Sequence, residues 1–329
     1  MRQVGAQVGV SAMTVSRALH DDPRVAPRTR ERILTAAREL GYRRNELARS
    51  LRLGRPSGML GLVVTNLANP FYSQLALGVE NLAAAHGMRL VLSNTADDVD
   101  RERRIVHDLV SWRVDGIIVV PAGVDQSHLD LARLNDVPVV LAARPPVGIE
   151  ADCVLLDDFG GARDATSDLL AAGHRRLAFL GPPAAWTSAE RMRGFRAALG
   201  AANASLDESL VRCDQRDAEA AERVAAELLA MPAPPTAIFC ANSRNAIGAF
   251  RAVRGMGTDT ELSCFDDFEL ADVLRLTVVT YDPRAVGAEA ARLLVGRIAR
   301  IGHSAQARPQ RTVLPTTVIN YRQRAGARL

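Results

Sequence analysis

The 329-residue chain has no uninterrupted apolar run of about 18 residues, so no membrane-spanning helix is expected. Its amino terminus lacks the charged-then-apolar pattern of an export signal, which points to the cytoplasm. Cysteine is scarce. Cys153, Cys213, Cys240 and Cys264 lie far apart, with no C-x-x-C pair and no zinc spacing beside a histidine, and are expected to be buried thiols in strands. The histidines are scattered and build no metal motif. No P-loop, G-x-G-x-x-G or G-x-S-x-G is present. The acidic pairs Asp157-Asp158 and Asp266-Asp267 have no partner histidine or metal spacing, so they are expected to accept hydrogen bonds from ligand hydroxyls or helix-start amides. These gaps argue against an enzyme and against a bound metal or cofactor. Lysine is missing from the first 56 residues, where every basic side chain is arginine.

Charge is unevenly placed. Residues 1–56 hold twelve arginines against five acids, net +7, whereas the whole chain is +4, so the remaining 273 residues carry −3. A small basic module on a mildly acidic body is an electrostatic footprint of nucleic-acid binding. Within that module Gly9 can take the positive φ of a sharp turn, and Ser11 can cap a helix. Val15, Ala18 and Leu19 then form an apolar stripe, with Met13 and Arg17 pointing away from it and Ala12, Thr14 and Ser16 on its flanks. Such a face suits a major groove, where arginine forks to guanine, hydroxyls bond base edges and methyl-bearing side chains meet thymine. A plain surface helix is the bland alternative. A preceding helix is expected over about 2–8, and a third from Pro27 with core face Ile33, Leu34, Ala37 and Leu40, closed by Gly41.

Val10-Ser11 followed by Thr14-Val15-Ser16-Arg17 resembles the GVS..TVSR signature of LacI-type (lactose/purine repressor family) transcription regulators. The resemblance implies DNA contacts from Ser11, Ala12, Met13, Thr14, Ser16 and Arg17. Met1 sits where the family's first helix has already begun, so the usual Thr cap is missing: either the start is a few codons late or this helix frays. Asn45 can cap a two-turn helix bearing Leu47, Ala48 and Leu51, too short to be stable alone. "N..ARSL" is similar to the family's hinge helix. That match makes Leu51 a minor-groove wedge, places Arg49 and Arg52 near phosphates, and adds Asn45 to the DNA-binding set. Arg44 stands where the family usually has proline. An ordinary linker is the alternative.

From Met59 onward short apolar strands alternate with helical stretches. The alternation implies parallel, doubly wound sheets, run through twice with a break near 143–150. Two such lobes leave a cleft beyond the strands' carboxyl ends. The resemblance extends over this body. Asn69-Pro70-Phe71-Tyr72 looks like the family's effector-cleft loop, Arg191–Phe195 its "R..GF", Ala241-Asn242 its "AND" and Phe265-Asp266-Asp267 its "GFDD". By that match Arg191 clamps ligand hydroxyls or a carboxylate, Asn242 and Asp266 bond the polar edge, and Phe71 and Tyr72 stack on the apolar face. Tyr281 sits where glutamine is frequent, and Gln215 where an aromatic often closes the pocket. Ser243 and Ala143 replace family aspartates, removing two sugar-hydroxyl acceptors, and Leu262–Phe265 is shorter than the family's strand and lacks its glycine. Each of these positions could instead be a turn or cap residue.

The expected architecture is therefore α/β: a three-helix helix-turn-helix domain over 1–43, a hinge helix and linker over 44–56, and a two-lobed periplasmic-binding-protein-like body over 57–329. A long helix over 283–301 and closing strands over 310–321 complete it, and no apolar heptads follow. The implied function is that of a dimeric repressor of a pseudo-palindromic operator on double-stranded DNA, controlled by a small effector whose expected class is carbohydrate. A periplasmic-type sugar-binding protein without DNA function is the alternative.

Overall fold

In a computed structural model, residues 1–41, 56–183, 186–301 and 308–322 are described. They form two compact units, 1–57 and 58–329. The first contains α1 (Arg2–Val8), α2 (Ala12–Leu19) and α3 (Pro27–Glu39). Gly9 closes α1 at φ 73°, the left-handed turn that swings the chain into α2. Ser11 caps α2 by accepting from Thr14 N–H, as its position predicts. Val4 and Val8 of α1, Val15, Ala18 and Leu19 of α2, and Ile33 and Ala37 of α3 share one core. Two expected core positions lie outside it: Leu34 is 36% exposed and Leu40 46%, while Ala36 is buried instead. Leu34 is one helical step, about 100°, off the stripe centred on Ile33. Leu40 is the C-cap, past the last turn that the neighbouring helices cover. The hinge expectations on Asn45, Arg49, Leu51 and Arg52 lie outside the described residues.

The second unit is two α/β lobes. β1 (Met59–Val64), β2 (Arg89–Asn94), β3 (Gly116–Val119), β4 (Val139–Ala142) and β5 (Asp152–Leu156) enter the first sheet with α4 (Pro70–Ala85) and α5 (Val99–Ser111) between them. After α6 (Asp158–Ala171), a second sheet takes β6 (Leu177–Leu180), β7 (Val211–Arg212), β8 (Ala237–Cys240), β9 (Glu261–Phe265) and β10 (Thr277–Thr280). Its other helices are α7 (Trp186–Ala201), α8 (Ala218–Leu229) and α9 (Ser243–Met256). The chain then returns through α10 (Pro283–Ile298) and places β11 (Arg311–Leu314) in the first sheet and β12 (Thr317–Asn320) in the second. The sheet orders are β11-β5-β4-β3-β1-β2 and β12-β10-β9-β8-β6-β7. All pairings are parallel except β10 with β12.

Strand alternation sends side chains to both faces. Leu60, Leu62 and Val64 face α4 and α10, whereas Val63 meets Val106 and Leu109 of α5. In the second lobe Ile238 and Cys240 pack under α8 and α9, and Phe239 packs with Phe195 under α6 and α7. Strands β3, β4, β5, β6 and β8 are buried along their length, as parallel strands covered on both faces should be.

Two sequence expectations need correction. The break does not fall at 143–150, because β5 still pairs with β4 in the first sheet. The chain crosses after Leu156, after Thr280 and after Leu314, so the two sheets are interleaved and not consecutive. Hydrophobic runs reveal that strands exist but not which strand each one pairs with. Cys213 is exposed, just past the two-residue β7, while the other three cysteines are buried in strands. No helix among the described residues is long and apolar enough to cross a membrane.

Candidate nucleic-acid face and ligand cleft

On α2, packing separates two faces. Val15 and Ala18 are fully buried, whereas Met13 is 64% exposed. Ala12 and Arg17 are exposed too, and Ser16 is half-buried. The hydroxyls of Ser11 and Thr14 bond each other at 2.9 Å and Ser11 also holds Thr14 N–H at 3.1 Å, so both are engaged in the cap as well as lying on this face. The Arg17 guanidinium makes no hydrogen bond or ion pair among the described residues, and it stands one helical turn from Met13. An uncommitted fork on an exposed helix face can pair with a base edge or a phosphate without first breaking an internal bond.

The second unit holds a cavity of about 480 Å³ at the carboxyl ends of both sheets. That volume is within the range that encloses a small ligand. Thr65 and Asn66 follow β1, Ala143 and Arg144 follow β4, Asp158 follows β5, Asn242 follows β8, Asp266 follows β9 and Tyr281 follows β10. Each strand thus delivers the first residues beyond its ladder, where side chains are free to converge. Ala96, Asp97, Ala143 and Asp266, all in the lining, hold left-handed φ angles of 57°, 60°, 60° and 82°. Such conformations cost non-glycine residues energy, and their clustering here marks the cleft as a place where backbone strain is retained. A larger hollow of about 660 Å³ lies at the amino ends of β4 and β5, but its arginine, Arg297, is already forked onto Asp152 at 2.6 and 2.7 Å.

Arg191, from α7, is the centre of the cleft's charge network. Its Nε donates to Asp158 Oδ1 at 2.7 Å and its Nη1 to Ala241 O at 2.5 Å. Asp266 Oδ1 lies 3.8 Å from Nη1, and the guanidinium carbon sits 3.6 Å from the centre of the Phe265 ring. Burial works against the Arg191 charge, but Asp158 and Asp266 more than offset it and raise its titration further. Burial lifts Asp158 to about 6 even though Arg191 pulls the other way. Tyr281 donates to Asp266 Oδ1 at 2.5 Å, and burial with that carboxylate pushes its phenol well up. Phe71 meets Tyr72 edge-on at 5.0 Å and Tyr281 at 6.0 Å, and Tyr281 meets Phe265 at 5.8 Å. An aromatic chain therefore runs from α4 of one lobe to β9 of the other.

Six of the seven expected effector residues, Phe71, Tyr72, Arg191, Asn242, Asp266 and Tyr281, line this single cavity. The seventh, Gln215, does not. Its backbone N–H donates to Gly181 O at 3.2 Å and its backbone carbonyl accepts from Asn245 Nδ2 at 3.1 Å, while its buried side-chain amide donates to Asp214 Oδ1. Sequence reasoning leaves out Arg144, Arg216 and Arg244, which also line the cleft. They belong to loops or a first helical turn without periodicity, and only their basic character could have drawn attention to them.

Two family models match. "Bacterial regulatory proteins, lacI family" covers residues 1–45, and "Periplasmic binding proteins and sugar binding domain of LacI family" covers 57–313. Catabolite control protein A of Priestia megaterium is 30% identical over 301 residues, spanning 88% of this chain and 90% of its own. The HTH-type transcriptional regulator CelR of Thermobifida fusca is 32% identical over 331 residues, spanning 96% and 95%. Among solved structures, the transcriptional regulator CelR in complex with cellobiose superimposes with a TM-score of 0.71 at 31% identity, covering 96% of this chain and 97% of that one.

Proposed function

The chain belongs to the LacI family of DNA-binding transcription regulators, and on that premise we propose that it is a repressor whose hold on a pseudo-palindromic operator is set by a small effector in the cleft. The observation that carries this is Arg17, unpaired on the open face of a helix whose other face is sealed in the head's core. In this reading two heads of a homodimer sit in successive major grooves, with Ala12, Met13, Ser16 and Arg17 toward base edges. Residues 44–56 supply the hinge, Leu51 its wedge, Asn45 its cap, and Arg49 and Arg52 its phosphate contacts.

The effector is a hydroxylated molecule of carbohydrate type. Arg191, Asn242 and Asp266 offer it polar contacts, while Phe71, Tyr72 and Tyr281 present ring surface. Ligand binding favours one arrangement of the two lobes, and the operator favours one arrangement of the hinges. The two ligands act on one equilibrium. The test is footprinting of the full-length chain across fragments of its source genome at moderate salt. Protection of a two-fold symmetric site that survives excess bulk DNA is the expected result. Protection that bulk DNA abolishes everywhere would falsify the regulator reading.

A further inference from the structure

Donors and acceptors in the cleft are out of balance. Asn66, Asn69, Asn94 and Asn242 all line it, and each has its carbonyl oxygen taken by a backbone N–H. The acceptances are from Ala68 at 3.0 Å, Phe71 at 3.0 Å, Leu67 at 3.2 Å and Asn245 at 2.8 Å. A backbone N–H can only donate, so these bonds fix the orientation of every amide and leave each NH₂ as the group still to be satisfied. Arg216 and Arg244 line the same cavity and make no hydrogen bond or ion pair among the described residues. Arg244 sits in the first turn of α9, whose amino end adds partial charge of the same sign.

Acceptors are few. Asp266 is occupied by Tyr281 and by Ser243 N–H at 3.4 Å, and Asp97 is tied to Arg144 at 3.0 Å. Ser243 and Ala143 supply no carboxylate. Asp158 Oδ2 is the one buried carboxylate oxygen with no partner among the described residues, on a side chain only 1% exposed. A neutral polyol brings a donor with every hydroxyl and finds few unengaged carboxylate oxygens to receive them. An anionic group brings only acceptors, and its bonds to guanidinium are the stronger, charge-assisted kind.

Resting on the regulator reading above, we infer that the effector is a hydroxylated small molecule bearing a phosphate or a carboxylate, its charge held by Arg216 and Arg244 and one hydroxyl given to Asp158. The full-length protein is titrated calorimetrically with hexose and pentose phosphates and aldonates, each beside its neutral parent sugar. At least one charged form should bind on the order of tenfold tighter than its parent. Phosphates alone, aldonates alone or both gaining affinity tells which anion the arginines hold. Arg216→Gln with Arg244→Gln should erase the gain. Arg251→Gln, which removes an arginine of α9 outside the cleft, should keep it. The inference falls if neutral sugars bind as tightly as their charged forms, if the gain survives the double substitution, or if no charged probe binds. Operator retention by the same preparation separates the two readings. A neutral sugar that alters retention while charged ones do not overturns the inference and leaves the regulator standing, and absence of any retention overturns the regulator itself.

Discussion

The arginines of the head are not equivalent, although composition counts them alike. Arg24 is forked onto Asp22, Arg30 donates to Asp22 O at 2.7 Å, Arg32 to Val8 O at 3.1 Å and Arg38 to Leu34 O at 3.3 Å. These four help hold the three helices and their turns in place, whereas the Arg17 guanidinium makes no hydrogen bond or ion pair among the described residues and acts on Asp22 only through its charge. Replacing Arg17 by alanine should therefore cost about 1–3 kcal/mol of operator affinity and relax preference at one base position, read in gel shifts against a set of single-base operator variants. Equal weakening across all variants would instead make Arg17 a phosphate contact. A second residue-scale prediction concerns Asp158, whose folded pKa of about 6 stands above the unfolded 3.8. The folded state thus holds this proton more tightly, so the group's contribution is fully present below about 4 and is lost as pH rises through about 6. Asp158→Asn has no such loss. Whatever its absolute stability, the variant should gain on the wild type as pH rises across that window in denaturant melts. A difference that stays constant or shrinks would show that Asp158 does not titrate there.

Glycines govern how closely the helices of the body can approach. A Cβ on Gly287 of α10 would fall 2.0 Å from Leu75 O of α4, and one on Gly78 of α4 would fall 2.1 Å from Arg284 O of α10. The two helices touch backbone to backbone, and Gly194 and Gly248 do the same for α7 on α6 and α9 on α8. Gly287→Ala should force α4 and α10 apart and destabilise by about 1–3 kcal/mol. Gly296, on the same helix but facing open space, should do the reverse: Gly296→Ala should stabilise by about 0.5–1 kcal/mol. Thermal melts in which both variants shift the same way would contradict the backbone contact. Elements of this kind show how far a sequence can be read. The β1 and β6 runs and the Ser11 cap are visible because apolar periodicity and cap chemistry are local, whereas Asn242, read as a ligand contact, also caps α9. Which glycine meets a neighbour is not local, and neither is the membership of β5 in the first sheet, hence the misplaced break. The cleft divides in the same way. Arg191, Asn242 and Asp266 stand in family motifs, whereas Arg144 and Arg216 from two loops and Arg244 from the first turn of α9 are brought together only by the fold.

At the scale of the molecule, the chain passes between lobes three times, and two of the passages carry cleft residues: Asp158 follows β5 and Tyr281 follows β10. Tyr281 packs against cores in both lobes, meets Phe71 edge-on and Phe265 at a tilt, and holds Asp266, whose other oxygen bonds Ser243 N–H. Any ligand that presses on Tyr281 therefore presses on both sheets at once. A change in lobe arrangement has to be absorbed at 157–158, 281–282 and 315–316, the segments between the sheets, because packed cores shift between discrete arrangements more readily than they deform. If effector and operator bias that shared equilibrium, their coupling must be reciprocal. The factor by which saturating effector changes operator affinity equals the factor by which saturating operator changes effector affinity. Titrations run both ways on the full-length protein should give one ratio, on the order of 5- to 150-fold for a coupling of typical size. Tyr281→Phe, which keeps the ring but drops the bond to Asp266, should bring that ratio closer to one in both directions together. A ratio of one in the wild type would mean that cleft and head do not communicate. A Tyr281→Phe ratio unchanged from wild type would assign the coupling to a crossing other than the one after β10.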